Sequence, residues 1–537
     1  MQFQDIVNNL NRPKTWLLSA NVFFVFLLII LSNLELLPIR NLGDFIFYTL
    51  LYLAFALYRP GWSFLFFVGT IMLENINLAP EEIGIMVRPY QFIGGLTVLA
   101  VLIKSAVKKL GFSLPKWNRY DLLFIIFAIA GFLSAIGAED KILAFKQSAV
   151  ALSFVAFYFL TRIFIQNLED LKRVVPFFLS SSVIVVLYGI WQNIRFSKGL
   201  EAFEIMPGRP NATFTEPDWL GIFLVFLLAV IYAIINYRSG PTASLQDGSR
   251  RTDRYFKISN QIQISKAFFY VVLTASYILL ILTVARSAWL GAAAMTFAFL
   301  FIILTNLKFD PKKWNLKLFF QTLSGIVVSG IVALAVVYIF NLTSFQLFNR
   351  AQSTGSGLQK ITVSCQVIIV LPERIRDISD LEKLGCRHID LEEITAEMEK
   401  GNFVRETYRP DPNINIRKEI YQKSWQEIKE NPILGIGWGN IGKVLGTDEN
   451  GNALNSSNIF LEVWLGAGLL GLAGFALIWI YVILDAIRVF ISSNPGARPF
   501  GLFLFLGFFS ILIPNIFNAG IFLGFIWLFL GLKKIKV

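Results

Sequence analysis

Two stretches decide how this chain is read: IRKEIYQKSWQEIKENPILGIGWGNIG (416–442) and NSSNIFLEVWLGAGLLG (455–471). The first predicts an amphipathic helix that Pro432 stops, followed by a glycine-rich turn. The second opens a long apolar segment of membrane-spanning character. A charged helix and a tight turn are thus tied to a point where the chain returns into a bilayer, and chemistry at a membrane surface is expected there.

Outward from these stretches the chain is apolar. Of its 537 residues 55% are hydrophobic and only 16% charged, against about 25% charged in soluble domains. Spans need about 20 apolar residues each. Candidates begin near Trp16, Phe45, Trp62, Phe92, Leu122, Ile142, Val174, Leu220, Ala267, Ala288, Leu318, Ile459, Phe500 and Ile521. The expected fold is therefore an all-α polytopic membrane protein of about 14 transmembrane helices. A membrane domain over 1–340 is followed by a loop domain over 341–458 and a second membrane part over 459–537. Residues 1–31 have the outline of a signal peptide, but no small-residue cleavage site follows, so the run reads as a first anchor helix.

Short cytoplasmic loops carry the excess of Lys and Arg. Arg12 and Lys14; Lys104, Lys108, Lys109, Lys116 and Arg119; Lys172 and Arg173; Arg238, Arg250, Arg251, Arg254 and Lys257; Lys308, Lys312, Lys313 and Lys317; Arg488 and Arg498; and Lys533, Lys534 and Lys536 fall mostly on alternate loops. Both termini are then cytoplasmic and the large loop between the eleventh and twelfth helices is extracytoplasmic. Topology and anionic lipid account for the net charge of +12, which needs no nucleic-acid partner.

Both cysteines, Cys365 and Cys386, lie in the large loop. Outside the cytoplasm a disulfide is the leading reading. Two free thiols would require the inverted topology, and a zinc site would find only Cys386 and His388 where four ligands are needed. Within the loop, ITVSCQVIIVLP (361–372) reads as a strand and ISDLEKLGCRHIDLEEITAEMEKG (378–401) as helical or turn material.

Arg286, in LTVARSAWLG (282–291), is the only charge in nearly forty apolar residues, a length of about two spans. It is expected at a tight reversal on the outer face. A mid-depth arginine costs about 2.5–3.5 kcal/mol, so an anion or a carboxylate should offset it, unless it snorkels at the interface. Arg88 in VRPYQF, Arg209 in PGRPNATFTEPDWLG and Arg417 fall on the same side. Guanidinium forks bind phosphate oxygens bidentately, and several together suit a diphosphate. Arg417, Tyr421 and Trp425 stand at i, i+4 and i+8 and share a helix face. A sugar platform and an ordinary interfacial aromatic belt are both open readings of Trp219, Trp289, Tyr421, Trp425, Trp438 and Trp464. No nucleotide-binding glycine loop, nucleophile elbow or paired metal motif occurs, and the chain has one histidine, so no cofactor is expected.

ENPILGIGWGNIG followed by SSNIFLEVWLGAGLLG resembles the O-antigen ligase and O-antigen polymerase superfamily. The likeness lies in its "NPxxGxGxGN" turn and its "HN, nine residues, GxxG" motif, with Ser457, Asn458, Gly468 and Gly471 in the second. VARSAWLG resembles the family's "SRxxxLG" element. RPNATFTEPDWLGIFL resembles its "GtFxxPNxLgxFL" element through Thr213, Phe214, Pro217 and Gly221. The resemblance implies metal-independent, inverting glycosyl transfer at the outer face of the plasma membrane. The donor is a polyprenyl diphosphate-linked glycan, the acceptor a sugar hydroxyl or a lipid-linked glycan. Arg88, Arg209, Arg286 and Arg417, with Ser457 and Asn458, are the expected substrate-binding residues.

Two departures matter. Ser457 stands where ligases carry histidine, and Asp218 stands where asparagine is common. Serine is no base near neutral pH, so the proton acceptor is sought among Glu462, Glu216 and Asp218, with His388 as the remaining alternative. A polytopic transporter would place ionisable residues deep in spans, for which only Lys146 and Glu74 offer themselves. A non-catalytic scaffold of an envelope glycan machine is the third reading.

Overall fold

The computed structural model describes residues 15–239, 255–259, 262–305, 307, 310–343, 357–376, 378–389, 393–447, 453–491 and 497–534. Of the basic residues that set the orientation, Arg12, Lys14, Arg250, Arg251, Arg254, Lys308 and Lys536 lie outside them, as does the start of the 353–401 segment.

Among the described residues eleven α-helices come first: α1 (Thr15–Asn33), α2 (Leu42–Tyr58), α3 (Pro60–Thr70), α4 (Pro89–Ala106), α5 (Arg119–Gly137), α6 (Lys141–Phe164), α7 (Leu168–Ser197), α8 (Pro217–Ser239), α9 (Lys266–Leu282), α10 (Arg286–Thr305) and α11 (Leu316–Ile339). A small hairpin, β1 (Tyr255–Ser259) and β2 (Ile262–Ser265), precedes α9. Within the loop segment 341–458 lies α12 (Pro412–Glu430), and after it come α13 (Ile459–Ile491), α14 (Arg498–Asn515) and α15 (Gly524–Gly531). Asn41, Asn118, Asp140, Asn167 and Asn315 each accept a backbone N–H of the first turn they precede, and Pro60 and Pro89 start helices where no amide is needed.

Thirteen of the fourteen apolar starts read from the sequence fall on these helices and Ile521 lies three residues before α15, yet among the described residues ten helices are long and apolar enough to cross a membrane. Helices α2 and α9 are somewhat shorter. The 11 residues of α3 and 8 of α15 reach only about 16 and 12 Å at 1.5 Å per residue. Both are buried along their length. Each stops short because loops 71–88 and 516–523 fill the space beyond it: Gly524 N donates to Glu74 Oε1 at 3.0 Å. Helix α8 runs through the centre of the bundle with Leu220–Ile235 almost wholly buried. At the opposite end Asp121 pairs with Arg162, and buried Lys533 meets Asp485 at 3.3 Å.

The loop domain holds a three-stranded antiparallel sheet in the order β4 (Cys386–Ile389), β3 (Leu358–Cys365), β5 (Phe403–Pro410). Strand β3 starts three residues before the stretch read as a strand and ends at Cys365, so 366–372 is not strand. The 378–401 segment is not all helical: β4 interrupts two short helices, Ser379–Glu382 and Ile394–Glu399. Cys365 and Cys386 stand opposite each other in the ladder and are joined as a disulfide. The sequence separation is 21 residues, a closure that stabilises by about 3 kcal/mol in the chain-entropy model. Replacing both cysteines with serine should make the 357–410 region sensitive to protease while the helices melt as before. A loop equally resistant in both proteins would contradict this.

Candidate functional site

The two motif stretches interlock through their backbones. Helix α13 is broken at Gly468, whose φ of 64° and ψ of −171° belong to a region open essentially to glycine alone. The break leaves Leu465 O to accept from Ile436 N at 2.7 Å and Gly437 N at 3.2 Å, while Leu469 N donates to Ile433 O at 3.0 Å. A β-carbon on Gly468 would stand 2.1 Å from Ile433 O, and one on Gly435 2.4 Å from Leu465 O. Trp464 Nε1 closes the seam on Pro432 O at 2.9 Å. The glycines of the turn and of the helix are therefore one device that seats the 431–440 turn in the bundle.

This seat positions α12. Its shared face packs as the spacing required: Arg417 donates to Phe517 O at 3.5 Å, Tyr421 Oη to Ser457 O at 3.2 Å, and Trp425 meets Trp464 edge to face at 5.9 Å. Tyr421 and Trp425 thus make packing contacts, while Trp425 remains 48% exposed.

Arg286 begins α10, after the turn 283–285 that reverses the chain. It donates to Asp411 Oδ2 at 2.9 Å, and Asp411 is nearly inaccessible. That is the offsetting carboxylate expected for a charge at this depth. Arg209 reaches the same turn, donating from Nε to Thr283 O at 3.0 Å and meeting Asp218 at 3.4 Å. The turn 516–518 gathers the rest: Ile516 O accepts from Asn458, Phe517 O from Arg417, and Asn518 donates to Ser287 Oγ. Arg209, Arg286, Arg417, Ser457 and Asn458, from four separated segments, are thus held at one place. Ser457 is itself in the left-handed region at φ 50°, as are Phe203, Ala212 and Val284 in the neighbouring loops, a concentration of strained backbone typical of functional sites.

Arg88 is one loop removed. It pairs with Glu74 at 2.7 Å, which also accepts from Tyr90 at 2.9 Å. Glu74 is inaccessible; burial raises its proton affinity and Arg88 opposes that. Four arginines face three paired carboxylates, Glu74, Asp218 and Asp411. Among the described residues Arg417 has no carboxylate partner, and its guanidinium donates instead to Phe517 O.

Glu462 uses Oε2 to accept from Ser456 N at 2.8 Å, fastening the loop before α13, and among the described residues it pairs with no cation. Glu462→Gln keeps an acceptor for that amide and should hold most activity. Glu462→Leu leaves the buried N–H unmet, at about 1–3 kcal/mol, and should lower melting temperature and activity together. Glu216 precedes α8, beside Asp218. His388 lies on β4, the strand farthest from β5, which leads into α12. Sequence reading missed Asp411, Asn518 and Glu204. Glu204 accepts from Gly208 N at 2.8 Å, and its Oε1 is buried with no hydrogen-bond partner.

A bundle in which ten helices among the described residues are long and apolar enough to cross a membrane is that of a multi-pass membrane protein. Residues 269–476 match the family model described as O-antigen ligase, which supports the likeness to the O-antigen ligase and polymerase superfamily. The match begins in α9 and ends in α13, and so takes in Arg286, Asp411, Arg417 and the interlocked glycine turns. No curated protein matches the chain.

Proposed function

We propose that this chain is an envelope polysaccharide polymerase or ligase, acting at the outer face of the plasma membrane. It transfers the glycan of a polyprenyl diphosphate-linked donor to a sugar hydroxyl with inversion. The observation that supports this best is the gathering of Arg209, Arg286 and Arg417 around the turns 283–285 and 516–518. Charge develops on the diphosphate as the glycosidic bond breaks, and fixed donors aimed there lower the barrier. Asp411 aims Arg286, Asp218 aims Arg209, and Arg417 supplies the uncompensated charge. Arg88 backs the site from the buried pair with Glu74. Asn458 and Ser457 shape the rim where α13 starts.

In this reading the 341–458 segment is an extracytoplasmic domain and both termini are cytoplasmic. The disulfide favours that side, since bonded cysteines belong to oxidising compartments. An impermeant thiol reagent should label Cys365 and Cys386 in intact cells after mild reduction; labelling only after lysis would invert the topology. Removing the gene from its host should leave lipid-linked glycan accumulated and the surface polymer short or absent. A host with unchanged polymer and no accumulated donor would contradict the function. Transfer should survive His388→Ala.

A further inference from the structure

Resting on the transfer reading, we propose that the outer end of α7 and the loop after it form the acceptor subsite. A sugar stacks on Trp191 and Phe203, Arg195 flanks it, and Glu204 takes the proton of the attacking hydroxyl.

The rings are layered. Trp191 and Phe203 lie 6.2 Å apart and 7° from parallel, and Tyr188 stacks on Trp191 at 5.7 Å and 26°. The Arg195 guanidinium stands 5.0 Å from the Trp191 ring and 5.7 Å from that of Phe203. Trp191 is 41% exposed. Interfacial belt residues need no such order; here the order is built. Gln192 donates to Phe203 O at 2.9 Å and accepts from Ala212 N at 2.7 Å, while Tyr188 Oη reaches Asn33. Phe203 is held in the left-handed region at φ 56° to complete the layer, a cost a non-glycine residue bears only when its surroundings enforce it. Flat apolar faces beside a cation and a carboxylate suit a saccharide, which offers C–H faces to rings and hydroxyls to charged groups.

Glu204 follows Phe203 directly, and Arg209 closes the same turn through Arg209 N and Met206 O at 3.0 Å. The loop therefore runs from the rings, through a carboxylate, to an arginine of the donor site within seven residues. Asp218 and Glu462 are committed to Arg209 and to the Ser456 amide, whereas Glu204 keeps one oxygen without a partner. Burial pushes the Glu204 carboxyl up to about 7, opposed by the Gly208 amide. That matches a base working near neutral pH. The charged groups on the surrounding segments are Arg195, Lys198, Glu201, Arg209, Glu216 and Asp218. In the step, the acceptor oxygen bonds to C1 of the donor sugar. The C1–O bond to phosphate breaks, its electron pair leaves on the polyprenyl diphosphate, and the hydroxyl proton passes to Glu204 and then to water.

Two measurements on the full-length protein test this. In the first, the oligosaccharide freed from the host's own lipid-linked glycan is titrated onto the protein without donor, and saturation-transfer NMR reads contact. Contact is expected in the native protein and in Trp191→Phe, and lost in Trp191→Ala. No contact in the native protein, or equal contact in Trp191→Ala, overturns the subsite. In the second, transfer kinetics are measured. Trp191→Ala should raise the acceptor KM at least tenfold with kcat kept. Glu204→Gln should lower kcat by about 10²–10⁴-fold and abolish the fall in rate below pH 7 expected of the native protein. An active native protein whose Glu204→Gln variant keeps both rate and pH profile overturns the assignment while leaving transfer intact. Sugar contact at Trp191 without any transfer overturns the transfer reading and the base role, and leaves the platform as a glycan-binding surface.

Discussion

Arg286→Ala is expected to lower transfer by about 10²–10³-fold, the loss typical of removing one donor to a developing negative charge. Arg286→Lys should remain strongly impaired, because an ammonium keeps the charge and loses the fork that meets Asp411 on one side and phosphate oxygens on the other. The variant to set beside them is Asp411→Asn. If Asp411 aims the guanidinium, its amide should cost less than Arg286→Ala and shift the donor KM little. Expression and detergent-solubilised melting should stay near native for Arg286→Lys. Full activity in both Arg286 variants would remove this residue from the site.

The second large effect belongs to Gly468. Any side chain there meets Ile433 O at 2.1 Å and demands a backbone conformation closed to L residues. Gly468→Ala must straighten α13 or expel the 431–440 turn, and either frees Leu465 O and the Ile436 and Gly437 amides together. The cost should exceed about 3 kcal/mol, counting lost buried hydrogen bonds at about 1 kcal/mol each with the strain. It should appear as a melting temperature well below native and as loss of transfer, since α12 and Arg417 hang on that seat. Gly471→Ala is the control: its β-carbon would press on the Ala467 side chain within the helix, with no backbone carbonyl in the way, so a milder effect is expected. Equal stability of Gly468→Ala and the native chain would mean that the interlock does not carry the site.

How far these features could be read beforehand follows from their range. Apolar runs gave every helix of the bundle, because twenty hydrophobic residues leave a chain few other choices. They did not show that α3 and α15 stop halfway. Hydropathy is the same whether the far half of a segment lies in lipid or is replaced by loops from elsewhere, such as Glu74 capping Gly524 across 450 residues. Strand β4 hid among charges: CRHI is four residues between helix-forming Asp, Glu and Lys, and only its pairing with β3 makes it a strand. FVRETYRP, the β5 strand, buries little of either face and carried no apolar alternation. Arg286 was legible as a lone charge in a long apolar run. Its partner Asp411 was not, lying 125 residues away in an ordinary polar stretch. Glu204 was invisible for a related reason: nothing local marks a carboxylate whose character comes from a turn amide and from burial.

The measurement that bears most directly on the central claim is transfer by the purified protein in lipid vesicles supplied with its polyprenyl diphosphate-linked glycan. Longer or transferred glycan, appearing with an equal amount of free polyprenyl diphosphate and lost in Arg286→Ala, is the result this account predicts. Folded protein that binds the donor but yields neither product would contradict it and leave the chain a scaffold of the glycan machinery.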